Sequence, residues 1–400
     1  MAEKYRVLLV CTHPVQYASP VFRRMAQHPR LEIQVAYCSL QGAEPGLDPD
    51  FGVQVQWDVP LLEGYPWVHV PNRSPWPGLQ RFFGLVNPGL WKLVSRGGYD
   101  AVVVYTGYAY LSFWIVLGAA KLHHTAILFG TDAVSLESRG RKSWKTRIKE
   151  KVWPRLFGIA DVVIVPSTRG IELMRTLDIP RERLVLTPYV VDNDWWRHEA
   201  EKVDRGAVRR AWGVPDDAPV ILFCAKLQPW KRPMDVLSAF ALADGHKSHL
   251  VFAGDGPLRE ELESRAHSLS LDGRVHFLGF TNQSALPAVY RASDVLVLPS
   301  EHEAFGVVVN EAMLCGCPAI VSDRVGAGGD LISAGQNGYI FPCGDVAKLA
   351  ALLREMPSDR ERLRRMSEAA RRRMSTWSPK ENIEGHVQAI ERSLALAGQR

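Results

Sequence analysis

Two carboxylates and two ammonium groups in the second half of this 400-residue chain carry the strongest chemical signal. Glu303 and Glu311 lie in the run Pro299-Ser300-Glu301-His302-Glu303-Ala304-Phe305-Gly306-Val307-Val308-Val309-Asn310-Glu311-Ala312-Met313. A β-branched strand ends at Pro299, and a helix is expected from near Gly306. Glu303 and Ala304 then sit in the turn, and Glu311 sits about two turns into the helix. The amides of Phe305, Gly306 and Val307 stand at a helix N-terminus, where backbone N–H groups suit phosphate. Two carboxylates so spaced reach different hydroxyls of one elongated ligand. A Glu pair at this spacing is more often solvated surface, but the apolar setting of Phe305, Val307 to Val309 and Met313 favours a site. Lys226 and Lys231 flank the turn after the run Val220–Ala225. Two cations there neutralise a diphosphate and its developing charge without a metal. Lys231-Arg232 taken alone reads as surface. Gly254-Asp255-Gly256-Pro257 follows the run His249–Ala253, where glycines allow a tight turn and close backbone approach at a strand's carboxyl end.

The first half is less explicit. His13 and Gln16, in Thr12-His13-Pro14-Val15-Gln16-Tyr17, follow the first apolar run. A lone histidine there is as readily structural as functional. Asp132 is the nearest ionisable residue in the turn Phe129-Gly130-Thr131-Asp132. The segment 139–155 is basic, with Trp144, Ile148 and Val152 or Trp153 at helical spacing. It reads either as a surface helix with that stripe on the core, or as a face that docks on an anionic bilayer. Trp76, Phe82, Phe83 and Trp91 read as partly core, or as lining for an acceptor channel.

The elements that must position these residues are alternating strands and helices. Six apolar strands are predicted before residue 190 and six after 218, several apolar on both faces, as buried parallel strands are. Two sets in a chain of this length imply two α/β domains. The predicted division is 1–190 and 191–377, with a terminal helix in 378–400 packing back on the first domain. Gly326-Ala327-Gly328-Gly329 lacks the G-x-G-x-x-G spacing and reads as a turn lining the site. The net charge of +5 is mild and argues against a nucleic-acid partner. The six cysteines include no C-x-x-C pair and read as buried reduced thiols. No apolar stretch approaches the roughly 20 residues of a membrane span. The expectation is a cytoplasmic chain that can lie on the inner face of a membrane.

The order Lys226…Lys231, Gly254-Asp255-Gly256-Pro257, Phe277-Leu278-Gly279-Phe280, Ala292-Ser293-Asp294-Val295 and Glu303-x7-Glu311 resembles the retaining GT-B glycosyltransferases of family four. The resemblance covers 220–344. His13 to Tyr17 and Trp57-Asp58-Val59-Pro60-Leu61-Leu62 resemble a bacterial sub-group. It implies two Rossmann-like parallel-sheet domains facing a cleft, with the acceptor on the first and a nucleotide sugar on the second. By the resemblance, Lys226 and Lys231 hold the diphosphate and Glu311 the ribose. Glu303 and the turn from Ala304 to Val307, with Gly254, hold the donor sugar and phosphate. Lys231 and Glu303 are the implied catalytic residues; Asp132, beside the usual histidine position, is a further candidate, to contact the donor or acceptor sugar, and His13 and Gln16, at a strand's carboxyl end, are candidates on the acceptor side. The implied reaction retains configuration and uses no metal or other cofactor. The implied acceptor is a glycan or a lipid-linked one, in surface polysaccharide assembly. Four positions depart from the pattern: Lys226 for Arg, Ala304 for Gly, Asp330 for Glu, and Phe129 for a histidine. Phe129 and the absence of glycine in the first loop leave open a non-catalytic nucleotide-sugar-binding protein. A sugar-nucleotide epimerase on the same fold is the rival enzyme.

Overall fold

The computed structural model describes residues 4–48, 53–137, 144–243, 247–356 and 359–397. The chain divides into two compact units. One comprises 1–46, 59–190 and 379–400, the other 47–58 and 191–378.

In chain order the strands are β1 (Tyr5–Cys11), β2 (Leu31–Tyr37), the short β3 (Gly46–Asp48) and β4 (Val53–Val55), β5 (Trp67–His69), β6 (Ala101–Val104), β7 (Ala126–Gly130), β8 (Val162–Val165) and β9 (Leu184–Leu186). The second set is β10 (Val220–Cys224), β11 (His249–Ala253), β12 (Val275–Gly279), β13 (Val295–Leu298), β14 (Ala319–Ser322) and β15 (Gly338–Phe341). All twelve predicted strands are present. The missed ones are β3, β4 and β5, three residues each, too short to show a period.

The first unit holds a seven-stranded sheet in the order β5-β2-β1-β6-β7-β8-β9, and the second a six-stranded sheet in the order β12-β11-β10-β13-β14-β15. The neighbours are parallel. β6, β8, β10, β11 and β13 are buried along their whole length, as helices on both faces require. In the first sheet the chain winds outward from β1 in one direction and from β6 in the other. In the second the reversal lies between β10 and β13. Open α/β sheets bind ligands outside the carboxyl ends of strands at such reversals.

The terminal helix Pro379–Ala397 belongs to the first unit. Its approach to β9 depends on Gly385, where a Cβ would lie 2.5 Å from the Leu186 carbonyl. Asn382 Nδ2 donates to the Pro188 carbonyl at 2.8 Å, and Ile383, Val387 and Ile390 are buried. In the second unit Arg209 is 1% exposed, and its guanidinium donates to the carbonyls of Ala292, Asp216 and Ala218 and to Asp294 Oδ2. Asp294 also accepts from the Val220 amide and from Arg205. The Ala292-Ser293-Asp294-Val295 motif is thus a structural anchor for the start of β10. Residues 47–58, on the first-domain side of the predicted division, group with the second unit. Asn282 Nδ2 donates to the Gln56 carbonyl at 2.6 Å, Asp58 accepts from the Ser284 amide at 3.1 Å, and Trp57 meets Phe280 edge-on.

Three expectations fail. Trp76, Phe82, Phe83 and Trp91 are 63%, 42%, 55% and 43% exposed, so they are not core. They also line no part of the cavity described below. Of the 3₁₀ turn Phe82–Gly84 only Gly84 is buried. Within 139–155, residues 139–143 lie outside the described residues. The helix Trp144–Phe157 buries Thr146, Trp153, Leu156 and Phe157, while Trp144, Ile148 and Val152 point outward. Of the two readings of this helix, the one that puts Trp144, Ile148 and Val152 on the core fails. Finally, Gly326 to Gly329 is not a turn but opens the helix Gly326–Leu331. The Gly326 and Ala327 amides donate to the carbonyls of Glu303 and Phe305, so tertiary bonds override the poor helix propensity of glycine.

Candidate functional site

In the second unit the residues singled out from sequence gather at the reversal between β10 and β13. Lys226 follows β10, and a 3₁₀ turn, Pro229–Lys231, comes next. Arg232 then takes a left-handed conformation, φ 55°, ahead of the helix Pro233–Leu242. Pro233 disfavours the right-handed helical region for the residue before it, and the reversal at Arg232 sets the direction in which Lys231 leaves the chain. Gly254 makes room for the β10 turn. A Cβ on it would stand 2.1 Å from the Ala225 carbonyl, and Leu227 N–H bonds to the Asp255 carbonyl at 2.8 Å.

The β13 turn supplies the other half. Lys231 Nζ donates to Glu303 Oε2, and both side chains are 18% exposed. Glu301 N–H donates to the Trp230 carbonyl at 2.8 Å, stitching the two turns together. Gly306 has φ +97°, a conformation that penalises any Cβ. Phe305 is 2% exposed and lies parallel to Trp377 at 6.0 Å, which fixes the turn from inside. Ala304 is absent from the positive-φ residues, so the missing glycine there strains nothing. The helix begins at Val308, two residues later than Gly306, with Val307 as its N-cap.

Glu311, on that helix, is 8% exposed and accepts from the Tyr290 hydroxyl at 2.7 Å. Burial pushes its carboxyl up to about 7, and the Tyr290 hydrogen bond opposes the rise only in part. A buried carboxylate held by one phenol is costly to folding. Such groups cluster where a ligand completes their hydrogen bonding. Tyr290 was not legible as part of the site: Leu-Pro-Ala-Val-Tyr-Arg-Ala reads as an ordinary amphipathic helix.

At the corresponding reversal in the first unit lies a cavity of about 380 Å³. His13 and Asp132 line it, with Thr12, Tyr17, Tyr105 and Tyr189, and with Asn382 and His386 from the terminal helix. Gln16 is half-buried and is not among the lining residues. His13 Nδ1 has no protein partner, and burial lowers the histidine's pKa. His386 Nδ1 lies 2.8 Å from the Asn382 carbonyl, so Nδ1–H donates there and Nε2 accepts from the Tyr105 hydroxyl. Burial brings His386 down to about 4 and keeps it neutral. Phe129 is buried and packs 4.9 Å from Phe113, so it faces the core rather than the cavity. Tyr105, Asn382 and His386 were missed because they lie on elements far apart in sequence. Among the described residues no group of three or more His, Cys, Asp or Glu is arranged to hold a metal.

The family model "Glycosyl transferase 4-like domain" matches residues 4–190, and "Glycosyl transferases group 1" matches residues 204–373. The chain belongs to this family of GT-B glycosyltransferases. It is 35% identical over 235 residues to a D-inositol 3-phosphate glycosyltransferase of Geodermatophilus obscurus, a match spanning 55% of this chain and 50% of that protein. It is 30% identical over 190 residues to an N-acetyl-alpha-D-glucosaminyl L-malate synthase of Bacillus anthracis, spanning 47% of this chain and 49% of that one. Such matches reach about half the length of these relatives. Among solved structures, the fold is similar to Anabaena HepE in complex with UDP and glucose, with a TM-score of 0.71 and 20% identity over 95% of this chain and 98% of that one. It is similar also to sucrose-phosphate synthase of Thermosynechococcus elongatus, with a TM-score of 0.73 and 18% identity over 98% of this chain and 100% of that one.

Proposed function

We propose that this protein transfers a sugar from a nucleoside-diphosphate sugar to a hydroxylated glycan or lipid-linked acceptor, with retention of configuration and without a metal. The observation that carries the reading is the joining of Lys231 to Glu303, at the turn from which the helix bearing buried Glu311 departs, in the unit that matches the group 1 transferases. Lys226 and Lys231 neutralise the donor diphosphate and the charge that grows on it as the glycosidic bond breaks. The amides from Phe305 to Val307 assist, because a helix N-terminus favours anions. Glu303 orients the donor sugar and Glu311 the ribose. The first unit's cavity holds the acceptor, with His13 and Asp132 in contact with it. The complexes of Anabaena HepE with UDP and with UDP-glucose support this reading of the donor.

The protein works at an anionic membrane surface in surface polysaccharide assembly. Trp144, Ile148 and Val152 are exposed at 69%, 48% and 48% on one helix that also carries Arg147, Lys149 and Lys151. Aromatic and aliphatic side chains flanked by cations bind anionic bilayers. No helix among the described residues is long and apolar enough to cross one.

The test is release of nucleoside diphosphate from UDP-glucose, GDP-mannose or ADP-glucose in the presence of a glycan mixture and EDTA. Acceptor-dependent release by the parent chain, abolished in Lys231→Ala, is expected. Conversion of the donor sugar with no acceptor present would favour the epimerase. Nucleotide binding without release would favour the non-catalytic protein. Vesicles containing phosphatidylglycerol should co-sediment with the parent chain and not with Trp144→Ser/Ile148→Ser. Equal sedimentation would remove the membrane from the account.

A further inference from the structure

The first unit's cavity has a charge character that restricts what can enter it. Resting on the reading of this unit as the acceptor side, we propose that the cavity takes a hydroxyl-rich ring that is uncharged or carries an amine, and rejects rings bearing phosphate or carboxylate.

The volume, about 380 Å³, lies at the small end of the range for small-molecule sites, roughly 300–1,000 Å³. That is room for a ring or two rather than a long chain. The polar lining is hydroxyl, phenol, amide and imidazole. Among the described lining residues Asp132 is the one carboxylate, and none is lysine or arginine. His13 and His386 supply no cation at neutral pH, because burial lowers both. The charge of Asp132 is felt inside. After burial, it is among the causes that raise the phenols of Tyr17 and Tyr189, whose hydroxyls lie 3.4 Å apart.

An anion entering would lose water, meet Asp132, and find no counter-cation. The helix N-terminus at Ala18, which lines the cavity, has little left to offer from its first three positions. The Ala18 and Ser19 amides are already bonded to the Val15 carbonyl at 3.1 and 3.2 Å, and Pro20 has no N–H. Hydrogen-bond polarity points the same way. Asn382 is 9% exposed, its amide donates to Pro188, and its Oδ1 has no protein partner. Oδ1 can only accept. A sugar hydroxyl or an ammonium satisfies it, and a phosphate or carboxylate oxygen does not. An amine gains further from Asp132.

This separates the chain from the two relatives above, whose names carry an inositol 3-phosphate and an L-malate. Both are anions, and among the described lining residues no lysine or arginine stands to pair with one.

The test is saturation-transfer NMR on the full chain with glucosamine, glucose and glucose 6-phosphate at equal concentration and pH 7. Signal from glucosamine and glucose is expected, with glucose 6-phosphate weaker by about tenfold or more. Asp132 is exposed, so Asp132→Lys should fold and reverse the ranking. Glucose 6-phosphate binding as well as glucosamine would overturn the proposal. Silence from all three sugars would do the same, as would an unchanged ranking in Asp132→Lys. A parallel titration of the parent chain with UDP, GDP and ADP keeps the two readings apart. If no nucleotide binds while the ranking holds, sugar transfer fails and the cavity's selectivity stands. If a nucleotide binds and the ranking fails, the reverse is true.

Discussion

Tyr105 and Tyr290 do the same work in the two units: each directs its hydroxyl at a buried titratable group near the carboxyl ends of a parallel sheet. In the first unit the partner is His386 and in the second it is Glu311. Burial favours the neutral form of both, so it moves them in opposite directions. His386 comes down to about 4 and Glu311 goes up to about 7. The first unit therefore has a neutral polar end whose one lining carboxylate among the described residues is Asp132. The second has an end in which an ion pair, Lys231 with Glu303, stands on the turn leading to a carboxyl near its titration point. One protein scaffold, a parallel sheet with a reversal in strand order, thus yields two environments of different charge. Strand order fixes where ligands bind, and a few side chains fix which ligands.

The comparison can be broken first at Lys231. Replacement by alanine should lower turnover by roughly 100- to 1,000-fold, the usual loss when one donor to developing charge is removed. The sugar ranking in the first unit's cavity should not change. A turnover loss below about tenfold, read from diphosphate release, would remove Lys231 from the chemistry.

Stability gives the next effect. Arg209→Ala removes one of the two ion pairs of Asp294 and strands three carbonyls, and should destabilise the second unit by about 3–5 kcal/mol in urea denaturation, as breaking a buried ion pair does. Retention of the parent's midpoint would show that Asp294 is held otherwise.

The opposed titrations sharpen the comparison further. Glu311 is raised in the folded state, so the folded chain binds more protons than the unfolded one. Its contribution is fully present at low pH and is lost as pH rises through about 7. Glu311→Gln should be more stable than the parent at pH 8 by roughly 3 kcal/mol, with the advantage vanishing near pH 4. His386 is lowered, so its contribution is present above the ordinary histidine range and is lost as pH falls toward about 4. His386→Gln should flatten the loss of stability on acidification. Denaturation midpoints measured across pH check both signs, and the same sign in the two variants would contradict the account.

The smallest effect expected is in Tyr290→Phe. Losing one hydrogen bond to a carboxylate should cost about 1.5 kcal/mol above pH 8. No change at that pH would mean that the phenol does not hold Glu311.

Much of this was legible in the residues, and what was not shares one cause. The twelve predicted strands announce themselves as apolar runs, and eleven of them are longer than the three residues of β3, β4 and β5. Lys226, Lys231, Glu303 and Glu311 lie after a strand or on the helix that follows, where local reading can single them out, and the structure joins two of them, Lys231 and Glu303. Tyr290 and Arg209 could not be found this way, because their partners, Glu311 and Asp294, are 21 and 85 residues distant. The cavity in the first unit was half seen. His13 and Asp132 follow their strands directly, while Asn382 and His386 arrive from a helix more than 180 residues after β9. The stripe on Trp144–Phe157 was left between two readings because periodicity gives an apolar face without saying what it meets. Packing chose Trp153, Leu156 and Phe157 for the core instead. Gly326 to Gly329 misled for a related reason, since bonds from Glu303 and Phe305 hold a helix that the glycines would not form alone.

The most direct test is isothermal titration of the full chain with UDP, GDP and ADP, beside Lys231→Ala and Glu311→Ala. The account predicts saturable binding of one nucleotide to the parent, weakened by at least about tenfold in each variant, since each loses a charged or hydrogen-bonding contact worth 1.4 kcal/mol or more. Binding of none of the three, or equal affinity in parent and variants, would contradict the assignment of this site to a nucleotide-sugar donor.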